Sequence, residues 1–120
     1  MISEEMKVEL IKKHMAVAMV LEEGKVPKEA VDALYNDIMP LFEDDTPGAL
    51  SILQILMRLC KENNKPLMRE LLIQHADLAK MVVRTLSRKK DEDYAVVAAR
   101  QDAQWTEQKH LIELAGYPIK

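Results

Sequence analysis

From Gly48 to Glu62 the chain reads GALSILQILMRLCKE, and its polar residues Ser51, Gln54, Arg58 and Lys61 recur every three or four positions. On an α-helix they fall on one narrow stripe, and apolar side chains cover nearly all of the remaining circumference. Such a helix is stable in water only when other elements enclose it, so the rest of the chain has to supply a shell. Thr46 followed by Pro47 reads as its cap and first position.

The shell is expected to be helical too. The 120 residues are 48% apolar but only 4% aromatic, with eight methionines and three glycines, a composition that suits helices better than sheets. Prolines 27, 47 and 66 each precede an apolar-periodic stretch, the place where proline fits a first helical turn. A first helix is predicted from Ser3 as N-cap to near Gly24, with Val8, Ile11, Met15 and Ala18 as its buried seam. A second opens at Pro27 with Val31, Leu34, Ile38 and Leu41 inward, and Pro40 ends or kinks it before an acidic EDD turn. A fourth runs from 66 to 89 as one rod with the seam Met68, Leu72, His75, Ala79, Val82 and Leu86. The fifth, about 92–115, is capped by Asp91 and closed by Gly116, with a polar middle and the least convincing core face. The expected fold is all-α, a compact bundle of about five helices in one domain, 1–120, without a sheet; even helix spacing leaves HEAT-like stacking as the alternative.

Charge is distributed unevenly. Residues 1–45 carry five bases and eleven acids, residues 46–90 nine bases and three acids, and residues 91–120 three bases and six acids, which gives −6, +6 and −3. A basic middle third pairs either with the acidic thirds of its own fold or with an acidic partner. The N-terminus MISEEMKVEL places acids where a secretory leader carries bases, and the longest apolar run, Met15–Leu21, is too short to span a bilayer. A cytoplasmic location without membrane contact is expected. The single cysteine, Cys60, precludes an intramolecular disulfide and reads as a small core residue.

Chemistry-bearing motifs are few. The stretch RELLIQHADLAKMVVRTLSRKK, residues 69–90, resembles a helix-turn-helix with QHAD as the turn and 78–88 as the recognition helix. That resemblance implies nucleic-acid binding through Lys80, Arg84, Arg88, Lys89 and Lys90. Helix-end electrostatics is the plainer account of the same residues, since bases suit the end of one helix and the acids Asp91–Asp93 the start of the next. His14, His75 and His110 belong to three helices and to no metal-ligand spacing, and the sequence carries no phosphate loop, dinucleotide glycine pattern or nucleophile elbow. Cys60 with His75 would be the one conceivable catalytic pair. We therefore expect no enzyme and no cofactor.

Surfaces remain. Trp105 stands in the polar part of the last helix as a core anchor or an interface residue, and Leu111, Ile112, Leu114, Tyr117 and Ile119 place an apolar group near the chain end. The reading is a small helical adaptor, regulator or assembly subunit that binds a protein partner, with self-association through the last helix and tail 116–120. The alternative is the nucleic-acid-binding protein of the basic patch.

Overall fold

The structure is a computed structural model that describes residues 1–86 and 93–118. Those residues form seven helical segments and no strand: α1 (Glu4–Ala18), α2 (Lys28–Ile38), α3 (Leu41–Asp44), α4 (Thr46–Glu62), α5 (Leu67–Gln74), α6 (Ala76–Leu86) and α7 (Tyr94–Ala115). The all-α expectation holds, and the difference from five helices has two sources. Pro40 cannot continue α2, and the chain restarts at once as the single turn α3. The expected fourth rod is broken at His75 into α5 and α6.

Helix α4 lies at the centre. Ala49, Leu50, Ile52, Leu53, Ile55, Leu56, Leu59 and Cys60 are all buried, and α1, α3, α5 and α7 pack around them. Even Ser51, from the predicted polar stripe, is buried. Ile11, Met15 and Ala18 of α1 and Val31, Leu34 and Ile38 of α2 point inward as their spacing predicts. Outside this shell, α2 covers α5, and α6 packs mainly on α5.

The helix ends explain most boundary differences. Helix α1 stops at Ala18 rather than near Gly24: tight bonds from Val20 N–H to the Val17 carbonyl and from Leu21 N–H to that of Ala18 turn Leu21 inward and leave Val20 exposed. Asp45, not Thr46, caps α4; its Oδ1 accepts from Gly48 N–H at 3.1 Å and its Oδ2 from Ile2 N–H at 3.1 Å. One carboxylate thus starts the central helix and pins the N-terminal segment to it, and these backbone bonds hold its pKa below the usual carboxylate range. Of the expected EDD turn, Glu43 and Asp44 are helical and solvated, whereas Asp45 is structural. Helix α4 ends with Asn64 in the left-handed region at φ 54°, where Lys65 N–H reaches the Cys60 carbonyl and Asn64 N–H that of Lys61. Gly116, at φ 86°, closes α7 the same way. The cap of α7 is Asp93; the expected Asp91 lies outside the described residues.

Replacing Asp45 removes two charge-assisted bonds at once. Asp45→Ala is expected to cost about 1–2 kcal/mol in urea unfolding. Gly48→Ala should destabilise as well, despite alanine's better helix propensity, because an added Cβ would overlap the Asp45 carboxylate. The two losses should be less than additive in the double variant.

Candidate functional site

The break at His75 is built from polar groups. His75 has non-helical angles (φ −119°, ψ 81°), its N–H closes α5 on the Leu71 carbonyl, and its own carbonyl accepts from Ala79 N–H to open α6. Its ring Nε2 lies 3.0 Å from Asp32 Oδ1 and the ring stacks on Tyr35, centroids 3.9 Å apart and planes 12° from parallel. The Tyr35 hydroxyl in turn donates to Asp77 in the first turn of α6. Asp32 and Tyr35, three apart on α2, therefore hold both sides of the joint. The bond to Asp77 raises the Tyr35 pKa and lowers that of Asp77.

This joint decides what α6 presents. Leu78 and Val82 are buried, Ala79 and Met81 half-buried, and Lys80, Val83, Arg84, Thr85 and Leu86 are exposed. Lys80, Val83 and Arg84 share the face opposite Leu78 and Val82. Val83 is 64% exposed and Leu86 50%; Ile73 on α5 reaches 66% and Val96 on α7 60%. The stretch AVVAARQDA from Ala95 in the first half of α7 is exposed or half-buried throughout, whereas Gln108, Leu111, Ile112 and Ala115 in the second half are buried.

The expected seam on 66–89 is corrected accordingly. Its buried residues are Leu67, Met68, Leu71, Leu78 and Val82, whereas Leu72, His75 and Ala79 are half-buried and Leu86 is exposed, because the joint redirects the second half. The break does coincide with the QHAD turn of the helix-turn-helix resemblance. However, α5 and α6 are joined by one residue, shorter than the three- or four-residue turn of that motif.

Among the basic residues, Lys80 and Arg84 are exposed and make no ion pair among the described residues, while Arg88, Lys89 and Lys90 lie outside them. Among the described residues of the basic middle third, Arg69 reaches Glu23, and Arg58 bonds Glu62 within its own helix at 3.2 Å. Trp105 is half-buried, with the Arg58 guanidinium 4.0 Å above its ring and Lys109 Nζ at 5.8 Å. It lines an open groove of about 340 Å³ with Gln54, Met57, Leu86, Gln101 and Gln104. Behind it Gln108 Nε2 donates to Gln54 Oε1 at 2.7 Å.

The apolar tail divides. Leu111 and Ile112 are sealed in the core, so neither reaches a partner while the bundle is closed; Tyr117 is half-buried, Leu114 is 46% exposed, and Ile119 lies outside the described residues. The Cys60–His75 pair is not assembled. Cys60 is buried with Sγ 3.9 Å from Met15 Sδ, and burial pushes its thiol up to about 11, while His75 is committed to Asp32 and Tyr35. Among the described residues no group of three or more His, Cys, Asp or Glu is placed to hold a metal ion, and no helix is long and apolar enough to cross a membrane.

His14 is the other histidine with a defined role. It is buried in α1, with Nε2 2.8 Å from Asp37 Oδ2, which also accepts from Lys13 Nζ at 2.7 Å. Desolvation lowers its pKa and outweighs the opposing pull of Asp37. No family model, curated protein or solved structure matches the chain.

Two titrations follow from these geometries. The folded state disfavours charged His14, so between its ordinary value near 6.5 and its lower folded value the unfolded chain binds more protons. Its stabilising contribution is complete above pH ~6.5 and declines as pH falls below it. His14→Gln should flatten that part of a stability-against-pH curve measured by urea unfolding. At the joint, Asp77→Asn should bring the Tyr35 ionisation down toward its ordinary value without moving Tyr117, which burial raises independently, as followed by NMR of labelled tyrosine.

Proposed function

We propose that this protein is a small non-enzymatic helical interaction protein, an adaptor, regulator or assembly subunit, that self-associates through the outward side of α6 and the neighbouring surfaces of α5 and α7. The observation that carries the reading is the exposure of four large aliphatic side chains, Ile73, Val83, Leu86 and Val96, on three successive helices. Scattered single exposed aliphatics are ordinary on a soluble protein. Here they accompany a helix held out by a polar joint and the outward, largely apolar start of α7, features that support an interaction surface.

A second reading keeps the nucleic-acid possibility, supported by the absence of ion pairs at Lys80 and Arg84 among the described residues. The same face argues for protein instead. Val83 shares the outward face with the two cations, and a phosphate backbone gains from the charges but nothing from the aliphatic group. A protein surface uses both.

Light scattering on a concentration series separates the readings. The wild-type mass should rise above the monomer's 13.7 kDa as concentration increases. The variant Ile73→Ser/Val83→Ser/Val96→Ser should remain monomeric, each substitution changing stability by no more than ~0.5 kcal/mol because the side chains are exposed. A wild-type chain that stays monomeric at every concentration would exclude self-association. Salt-dependent binding of labelled DNA or RNA, lost on neutralising Lys80 and Arg84, would favour the second reading.

A further inference from the structure

The first turns of α1 and the end of α7 enclose an open groove of about 380 Å³. Val8 and Leu114 provide its apolar lining and Glu4, Glu5 and Glu9 its charge. Glu5 and Glu9 are exposed and make no ion pair among the described residues; Glu4 bonds His110 at 3.3 Å, Lys7 in the same turns is paired with Glu107 at 2.9 Å, and Lys12 lies one turn beyond Val8. This surface is apolar and acidic, and the outward face of α6 is apolar and basic.

We infer that the α6 face of one copy, through Lys80, Val83 and Arg84, docks in the Glu4–Glu5–Val8–Glu9–Leu114 groove of a second copy. The inference rests on the self-association proposed above and specifies its geometry. Charge complementarity selects the occupant: two cations beside an aliphatic side chain meet three carboxylates around two aliphatic ones. A ridge meeting another ridge would instead bring Lys80 and Arg84 against like charges. The two surfaces share no residue, so the contact is heterologous. Each bound pair still offers one free ridge and one free groove, and association continues into chains unless the rotation closes a ring.

Sedimentation of the full chain over a wide concentration range, at low and high salt, tests this with charge-reversed variants. Lys80→Glu/Arg84→Glu reverses the ridge and Glu5→Lys/Glu9→Lys reverses the groove, all at exposed positions, with circular dichroism to confirm the fold. Each should weaken association by roughly tenfold or more relative to wild type. The chain carrying all four changes should regain it, because the surfaces are complementary again with reversed sign. Lys25→Glu/Lys28→Glu, which changes net charge as the ridge variant does but lies on neither surface, should associate as wild type does. Added salt should weaken the wild-type contact. If wild type associates and the groove variant associates equally well, the groove is not the receptor and the pairing is overturned, while self-association stands. If association fails to return in the four-fold variant, the two surfaces do not meet. A wild type that is monomeric throughout removes the self-association reading and this inference together.

Discussion

Enclosing α4 is the constraint to which the other helices answer. Ten of its residues from Gly48 to Cys60 are buried, spread around most of its circumference, and apolar surface withdrawn from water contributes about 25 cal/mol per Å². No single neighbour can cover such a helix. Helices α1, α3, α5 and the second half of α7 share the task, and α2 seals the outer side of α5. What remains of the chain has less to bury: α6 contributes two buried residues, and the stretch 95–103 of α7 contributes none. The surface we assign to partner contact is therefore where the demand of the core ends.

The core was legible because its signals are local and repetitive. The polar stripe of α4, apart from the buried Ser51, the spacing of Ile11, Met15 and Ala18, and the triplet Val31, Leu34 and Ile38 survive in the structure. Those periodicities depend on one helix at a time. Capping was less legible, since Asp45 and Thr46 are adjacent and both are good caps. In the structure the Thr46 hydroxyl donates to the Phe42 carbonyl, and Asp45 also accepts from Ile2 N–H, forty-three residues away, a contact that no local pattern contains.

The joint at His75 shows a different limit. A single non-helical residue does not reset a helical pattern: Leu71, Leu78 and Val82 keep spacings of seven and four across the break, so the stretch from Pro66 to Leu86 reads as one rod. The sign of a break was chemical, a histidine on an otherwise apolar seam with an acid two residues later. Its meaning needed Asp32 and Tyr35 from α2, whose polar side chains are supplied only by the fold. With those partners in place the joint is bonded on both sides, and α6 is held at a defined position rather than left to swing from α5.

That rigidity bears on why exposed aliphatic groups are retained on α6. Helix-end electrostatics accounts for basic residues near the end of α6 and acids near the start of α7, but it places no requirement on the residues between the bases. Val83 and Leu86 gain nothing there from the helix dipole and, being 64% and 50% exposed, little from the core. A polar residue at either position would serve capping equally well. Self-association gives the combination a physical use: screened charge attraction orients an approaching copy over roughly a Debye length, and the aliphatic groups supply short-range burial once the charges are aligned. A fixed α6 makes that contact cheaper in conformational entropy, because the helix that presents it has already been ordered by Asp32, Tyr35, His75 and Asp77.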